Sequence, residues 1–367
     1  MKRAWRAGSA LRSRSCGLTL VCAIATVPVL AGCGGSSDSS SGSGATSNAA
    51  ATSSTNGGGG NAQLALVAYS TPKSAYDVLI KAYQATPAGR SSAFTESFGA
   101  SGAQSRAVAT GLPADVVAFS TTPDITRLVK AGLVSKAWNA GPTKGIVTDS
   151  VVVLVVRKGN PKHITGWDDL VKPGIDVITP NPSTSGSARW NIMAAYGAEL
   201  KEGKTPSQAL AYLRTLLSKN VSVQDSSGSA AMQTFASGKG DVLISYESEA
   251  IAAEKKGIAI QHVIPSRTLL IETPIAVTAN SSHAAPAAAF VNWLLTPAAQ
   301  TIWAKHGYRS VLPSVSATFA SKYPTPAQLF TIDSLGGWKS VAKKFFAPST
   351  GLVTKIEAAA GVPTASS

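Results

Sequence analysis

The chain has 367 residues, of which 44% are hydrophobic and only 14% are charged. This length exceeds what one small core requires and is typical of two lobes of ordinary domain size. The formal net charge of +14 does not indicate a nucleic-acid partner, because five of the basic residues lie within the first fourteen positions and no Lys/Arg cluster is interleaved with aromatic residues.

The N-terminus has the pattern of an export signal. A basic stretch up to Arg14 precedes an apolar run, residues 18–30, which is too short to predict a membrane span. The run ends in Leu30-Ala31-Gly32-Cys33, which resembles a bacterial lipobox. We therefore predict that residues 1–32 are a lipoprotein signal peptide and that Cys33 carries the lipid. The alternative is an ordinary secretory cleavage site followed by an incidental cysteine.

The next segment, residues 33–62, is predicted to be a flexible tether. It is rich in glycine and serine and holds almost no apolar bulk that could form a core. Cys16 and Cys22 would leave with the signal peptide, so Cys33 would be the one cysteine of the processed chain. No disulfide, zinc site or thiol nucleophile is therefore expected, and the membrane would be contacted only through the lipid anchor.

From Leu64 onward, short apolar strands alternate with helices. Residues 64–69 predict a strand, and the segment after it repeats apolar residues at helical spacing, namely Tyr76, Leu79, Ile80 and Tyr83. Further strands are predicted at residues 114–120, 149–161, 174–182, 221–225, 240–247, 260–265 and 272–279, with helices such as 207–218 and 286–295 between them. This alternation predicts an α/β fold of parallel sheets covered by helices.

Four predicted strand ends carry the same chemistry. At residues 68–71, 99–102, 184–187 and 225–229, the chain leaves a strand through small polar residues, and a helix usually follows. Each turn offers hydroxyl donors, free backbone N–H groups and the positive end of a helix dipole. One such turn is usually only a helix cap. Four of them at the strand ends of an α/β protein predict a converging site for a small anion.

An enzyme is the alternative from a different functional class. The segment "TSGSA" (184–188) lacks the Gly-x-Ser-x-Gly elbow of a serine hydrolase. The histidines have no evident orienting acid in the sequence; they are His163, His262, His283 and His306. No metal site is expected either, because Asp168-Asp169 is typical of a helix N-terminus and has no His/Cys cluster nearby. We therefore predict a binding protein without catalytic residues, metal or cofactor.

Several longer motifs resemble the sulfate/thiosulfate-binding proteins of bacterial ABC importers. They occupy residues 97–117 (SFGASGAQSRAVATGLPADVV), 155–191, 238–250, 304–309 (AKHGYR) and 329–338 (LFTIDSLGGW), so that the resemblance covers residues 64–357. It implies a type II periplasmic-binding-protein fold, with two α/β lobes joined by hinge strands and the ligand in the cleft. Lobe 1 is then expected at 63–150 and again at 269–357, lobe 2 at 151–268, and a tail at 358–367.

The resemblance also implies which groups bind the ligand. In this family a dianion is held without counter-charge by backbone N–H groups, serine hydroxyls and an indole N–H. Carried over by position, the donors are the Ser70 backbone, Ser101, Ser185, the Gly186 and Ser187 backbones, the Gly228 backbone, and Tyr246 in place of the indole. The implied function is capture of sulfate, or thiosulfate, and its delivery by a monomer to an ABC permease.

The choice of anion depends on what else faces the site. Sulfate has no proton to donate, so a site made only of donors favours it over protonated phosphate, which would profit from a carboxylate acceptor. Asp225 is the only carboxylate expected near the site, where it would cap the following turn. Four positions depart from the family pattern, namely Ser70, Ser187, Ser229 and Tyr246. Another tetrahedral oxyanion, such as molybdate, therefore remains an alternative ligand.

Overall fold

The computed structural model describes residues 62–364. The predicted signal peptide, the predicted lipid-carrying Cys33 and all but the last residue of the predicted tether lie outside these residues. Within the described part of the chain, no helix is both long enough and apolar enough to cross a membrane.

Strands and helices alternate through the described residues. The strands are β1 (Ala62–Tyr69), β2 (Ser92–Gly99), β3 (Val116–Ala118), β4 (Ile146–Arg157), β5 (Val177–Pro180), β6 (Val221–Asp225), β7 (Val242–Tyr246), β8 (Ile260–Val263), β9 (Arg267–Val277) and β10 (Gln328–Phe330). The helices are α1 (Lys73–Gln84), α2 (Ser101–Ala109), α3 (Thr122–Lys130), α4 (Gly186–Lys201), α5 (Pro206–Thr215), α6 (Gly228–Ala236), α7 (Glu247–Lys255), α8 (Ala284–Leu294), α9 (Pro297–Lys305), α10 (Pro313–Thr318), α11 (Gly337–Phe345) and α12 (Leu352–Ala359).

The strands form two parallel groups that share a pair of long antiparallel strands. The order along the sheet is β2-β1-β3-β9-β4-β7-β5-β6, with β8 pairing β4 and β10 pairing β9. Strands β1, β2 and β3 are parallel to one another, and so are β5, β6 and β7. Strands β4 and β9 run antiparallel to each other and connect the two groups. The predicted α/β class is confirmed, although the prediction of parallel sheets missed these antiparallel connecting strands.

The long connecting strand β4 has an unusually apolar sequence because it is covered on both faces. Its segment 151–156, "VVVLVV", is entirely buried. Alternate residues of this run belong to two different cores, with Val152 and Leu154 in one and Val151 and Val153 in the other. A continuous hydrophobic run is what a strand between two helical layers requires.

Each strand group has a large core of its own. In the first group, the apolar face predicted for α1 is buried against α8 and α9, and the Tyr76 ring lies 5.1 Å from that of Trp303. In the second group, α4 is central and is buried on almost every side. Its Trp190 packs edge-on against Trp338, with the ring centroids 4.6 Å apart.

The C-terminal segment belongs to the second of these cores. Phe330, Trp338, Phe345 and Val353 share one cluster with Trp190 and other residues of β5, α4 and α5. The apolar contacts of β10, α11 and α12 therefore lie with residues of the predicted lobe 2, although the resemblance assigned all of 269–357 to lobe 1.

Candidate functional site

Six strands end in turns that lead into a helix, each at the carboxyl edge of its own parallel group. The four turns predicted from the sequence are confirmed as such junctions: β1 leads to α1, β2 to α2, β5 to α4 and β6 to α6. Two further junctions, β3 to α3 and β7 to α7, have the same arrangement. Each supplies first-turn N–H groups that have no partner within their own helix, together with the positive end of the helix dipole.

Direct contacts bring the turns of the two strand groups together. The Gly102 N–H, at the start of α2, donates to the Thr184 carbonyl across the cleft at 3.0 Å. The Trp190 indole Nε1–H donates to the Ser120 carbonyl at 2.7 Å. Gly186 lies so close to the same serine that a Cβ on it would be 2.8 Å from Ser120 Cβ. In this structure the two groups are therefore closed on each other at the site.

The turn before α6 is surrounded by oxygen atoms from both groups. A Cβ placed on Gly228 would lie 2.9 Å from Ser187 Oγ, 3.1 Å from Thr71 Oγ1 and 3.3 Å from Glu249 Oε2. A side chain at position 228 would fill this space, so glycine keeps the backbone open to a ligand. A cavity of about 500 Å³ continues outward from here between the lobes, and Ser70, Thr71, Ser229 and Glu249 line it.

The start of α4 holds a pair of hydroxyl groups. Ser185 is the N-cap residue, and its Oγ accepts a hydrogen bond from the Ala188 N–H at 3.4 Å. The same Oγ lies 2.8 Å from Ser187 Oγ. One hydroxyl proton is used in the hydrogen bond between the two oxygens, so the proton of the other hydroxyl is free to be donated to a third group. The Ser185–Ser187 pair can therefore donate one hydrogen bond to a ligand beside the Gly186 and Ser187 N–H groups.

Tyr246 closes the site from the end of β7. Its side chain is buried, and its Oη lies 2.7 Å from Ser120 Oγ on the opposite strand group. When Ser120 is the donor in this pair, the phenolic proton of Tyr246 is free for a ligand. Burial raises the pKa of the Tyr246 phenol well above its usual value, so it stays neutral.

The hydroxyl of Ser101 is already engaged by other groups of the protein. Its hydroxyl donates to Asp124 Oδ2 at 2.6 Å and accepts the Ser120 N–H at 2.9 Å. Because a serine hydroxyl has a single proton, none is left for a ligand. Any contribution of Ser101 to binding therefore falls to its backbone N–H in the first turn of α2.

The carboxylate nearest to the site is not the one that the sequence indicated. The Asp225 side chain contacts α6, where its Oδ1 accepts a hydrogen bond from Thr234 Oγ1 at 3.1 Å. Glu249 lies in the wall beside Gly228 and is buried. The prediction that Asp225 is the only nearby carboxylate is therefore wrong. Glu249 was missed because it lies three positions beyond the strand end, where the helical turn brings it back towards the site.

Three further hydroxyl groups lie near the site, and none of them was among the donors assigned from the resemblance. Ser120 and Thr71 follow the ends of β3 and β1, and Tyr69 is the last residue of β1. Thr71 Oγ1 and Tyr69 Oη are buried and have no hydrogen-bond partner among the described residues. Ser120 ends the predicted strand at 114–120, so its position was visible in the sequence. Its turn was not among the four that the sequence analysis selected.

Ser185, the candidate nucleophile, has no base beside it in the described part of the chain. The hydrogen-bond partners of Ser185 Oγ within residues 62–364 are Ser187 and the Ala188 N–H, and neither is a base. Two histidines do have acidic neighbours, contrary to the sequence reading. His262 Nδ1 lies 2.8 Å from Glu254, and His283 Nδ1 lies 3.5 Å from Asp115.

One group of carboxylates lies together elsewhere on the second strand group. Oxygens of Asp168, Glu199 and Glu202 lie within 4.8 Å of one another. Lys204 reaches all three carboxylates, at 2.8 Å from Glu199, and Arg267 Nη2 lies 3.3 Å from Glu202. Two cations therefore already neutralise this group, which is better described as an ion-pair network.

Comparison with known proteins places this chain in a recognised family. Residues 64–309 match the family described as bacterial extracellular solute-binding protein. The sulfate-binding protein of Synechococcus elongatus is 38% identical over 355 residues, which cover 94% of this chain and 95% of that protein. The thiosulfate-binding protein of Escherichia coli is 38% identical over 275 residues, which cover 72% and 80%.

A solved structure supports the same relationship. The sulfate-binding protein SubI from Mycobacterium tuberculosis has 49% sequence identity and a TM-score of 0.76, and the match covers 78% of this chain and 99% of that one. The predicted type II periplasmic-binding-protein fold is confirmed by this match together with the two α/β groups and their shared strands. The chain therefore belongs to the bacterial extracellular solute-binding proteins, in the family of the sulfate- and thiosulfate-binding proteins.

Proposed function

We propose that this protein captures sulfate, with thiosulfate as the second substrate, outside the cytoplasm and delivers it to an ABC permease. The observation that carries the proposal is the meeting of six strand ends at one closed cleft. Four of these ends reach each other through the contacts of Gly228 with Ser187 and Thr71 and of Gly102 with Thr184. Apart from the Glu249 carboxyl group, the groups they offer are neutral donors, which suit a dianion that has no proton.

We propose the following roles for the site residues. The backbone N–H groups of Ser70, Ser101, Gly186, Ser187 and Gly228 and the hydroxyls of Ser185 and Tyr246 donate to the anion. Thr71 joins them, because its buried Oγ1 has no other partner among the described residues. Ser120 acts indirectly, through its 2.7 Å contact with Tyr246 Oη.

Molybdate is the second candidate ligand, because a tetrahedral oxyanion of the same charge can use the same donors. Titration calorimetry with sulfate, thiosulfate, molybdate and phosphate distinguishes the candidates. We expect sulfate to bind most tightly. Preference for molybdate would reassign the ligand within the transport class, and dominant binding of phosphate would contradict a site built on donors.

We propose that binding involves no bond chemistry on this protein. The serine hydrolase alternative requires a base beside Ser185, and the hydroxyl there contacts Ser187 and a backbone N–H. Closure of the lobes on the ligand would be the signal that the permease reads.

The lobe boundaries, the anchor and the oligomeric state are part of the same proposal. Lobe 1 would comprise residues 63–150 and the return segment from 269 to about 327, and lobe 2 residues 151–268. The contacts of Phe330 and Trp338 favour adding the rest of the described C-terminus to lobe 2. Residues 1–32 would be the signal peptide, Cys33 the lipid anchor and residues 33–62 the tether of a monomer held outside the cytoplasmic membrane.

A further inference from the structure

Glu249 is a carboxyl group in the wall of a site that otherwise offers donors. It lies in the first turn of α7, three residues after Tyr246, and only 7% of its surface is exposed. Its Oε2 accepts a hydrogen bond from Ser245 Oγ at 2.6 Å. The same oxygen lies 3.3 Å from the position of a Cβ on Gly228, the point that Ser187 Oγ and Thr71 Oγ1 also approach.

No ion pair neutralises this carboxyl group. Among residues 62–364, no Lys, Arg or His nitrogen lies within ion-pair distance of it, whereas the neighbouring Glu247 is paired with Arg309 at 2.7 Å. Lys256, which follows α7, lines the same cavity and attracts the carboxyl group from beyond ion-pair distance. The other titratable groups that face it or line the same cavity are Tyr69 on β1, Lys73 and Asp77 on α1, Tyr246 at the end of β7 and Tyr308 after α9.

These neighbours do not supply a free cation at the carboxyl group. Lys73 and Asp77 pair with each other at 2.8 Å at the exposed mouth of the cavity. The three phenols are buried, and burial raises the pKa of each well above the usual value, so they are neutral. An ionised Glu249 would therefore face a bound dianion without an ion-pair partner, and the hydrogen bond from Ser245 Oγ would be the main contact that stabilises its charge.

We propose that Glu249 is a specificity-determining residue of the anion site, and that the site takes up a dianion together with one proton, which resides on the Glu249 carboxyl group. The inference rests on the proposed function. The balance is simple: the free site with an ionised carboxylate, plus sulfate, plus one proton from solvent, gives a complex with a neutral carboxylic acid. The neutral group removes the repulsion and can donate its O–H to the anion.

The protonation behaviour of the empty site agrees with this proposal. Burial raises the pKa of Glu249 to about 6, against the opposing hydrogen bonds of Ser245 and Ser229 and the attraction of Lys256. A dianion nearby disfavours the charged carboxylate and raises the pKa further. Because the bound state then holds more protons than the free state, sulfate affinity is highest below the free-state pKa and falls as the pH rises above it.

Phosphate responds differently to the same residue. Hydrogen phosphate carries a proton that it can donate to an ionised Glu249, so its binding needs no proton from solvent. A rise in pH therefore weakens sulfate binding relative to hydrogen phosphate binding. The ionised carboxylate is the acceptor that discriminates between the two anions.

The test compares the wild type with Glu249→Gln, which keeps the shape of the side chain and removes its titration. Sulfate affinity is measured by calorimetry from about pH 5 to about pH 8, where full linkage to one group of pKa near 6 weakens wild-type binding about 100-fold. In Glu249→Gln, affinity should stay within about threefold over that range and exceed the wild-type value at the alkaline end. A gain in affinity cannot arise from misfolding.

The matched control is Asp77→Asn, which removes an exposed carboxylate that lines the same cavity. It should keep the wild-type pH dependence. Calorimetry near pH 7.5 in buffers of different ionisation enthalpy should give uptake of about one proton per sulfate in the wild type and none in Glu249→Gln.

Three outcomes would overturn the inference. The first is wild-type affinity that does not change with pH, and the second is a pH dependence that survives in Glu249→Gln. In both cases sulfate still binds, so the proposed function stands. The third is failure of sulfate, thiosulfate, molybdate and phosphate alike to bind at any pH, which would overturn the proposed function and this inference together.

Discussion

The hydroxyl of Tyr246 offers the sharpest test of how the site closes. It lies 2.7 Å from Ser120 Oγ, and the two residues belong to opposite strand groups. Tyr246→Phe keeps the ring in its packing beside Tyr69, where the ring centroids are 6.5 Å apart, and removes only the oxygen. The change should therefore weaken ligand binding while leaving each core intact.

The expected loss follows from what the hydroxyl contacts in the closed state. Ser120 is fully buried, and Tyr246 is the hydrogen-bond partner of its hydroxyl, so the substitution leaves a buried hydroxyl without a partner. A lost hydrogen bond of this kind costs about 1–3 kcal/mol. We expect sulfate affinity to fall at least about tenfold, near 1.4 kcal/mol, because the phenol is also a proposed donor to the anion.

A double-mutant cycle shows whether the loss belongs to this contact. Ser120→Ala should lose less affinity than Tyr246→Phe, because it leaves the proposed donor to the anion in place. The double variant should lose about as much as Tyr246→Phe, because removing the second partner of a broken bond costs little more. The control is Tyr212→Phe, which removes a phenol that donates to the Trp167 carbonyl at 2.6 Å within one core. It should lower the unfolding temperature and leave sulfate affinity unchanged. Unchanged affinity in Tyr246→Phe would remove this residue from the site.

Three further predictions concern the turns and the anchor. Gly186→Ala places a Cβ 2.8 Å from Ser120 across the cleft, so calorimetry should show sulfate affinity reduced at least about 100-fold, with the unfolding temperature retained. The control Gly141→Ala, whose Cβ meets no atom within 4 Å, should bind sulfate normally. Normal binding by Gly186→Ala would mean that the cleft does not close this tightly. Ser185→Ala should weaken sulfate binding by about 1.5–3 kcal/mol, and esterase turnover lost in that variant would favour the hydrolase instead. Cys33→Ala should move the protein from the membrane to the soluble fraction without changing its sulfate affinity, and retention on membranes at high salt would refute the lipid anchor.

The fold was largely predictable because its strands are short apolar runs separated by turns. The predicted strand at 221–225 has the bounds of β6, and the apolar face of α1 is buried as its spacing indicated. The direction of β4 and β9 was not predictable, because antiparallel pairing of two distant strands leaves no local signal in either sequence. The same holds for the C-terminal helices, whose apolar faces do not specify which core covers them.

The site was predictable only as far as local turn chemistry reached. Residues 184–187 and Gly228 were found because small residues at a strand end before a helix have few other reasons to occur together. The engagement of the Ser101 hydroxyl by Asp124 depends on a contact between residues 23 positions apart. Glu249 likewise meets Gly228 only through the packing of α7 against α6 and the strand ends. Such tertiary contacts determine which polar groups of a turn remain available to bind a ligand.

Binding and closure are coupled in this protein because the same turns serve both. Gly186, a proposed donor to the anion, lies against Ser120, and the Trp190 indole of the same helix donates to the Ser120 carbonyl. Energy that stabilises these contacts between the strand groups therefore adds to the apparent affinity for the anion. If the empty protein is mostly open, each 1.4 kcal/mol lost from the closed contacts lowers the affinity about tenfold, even when no donor to the anion is touched. The affinity of this site is consequently a property of the cleft contacts as much as of the anion's own hydrogen bonds.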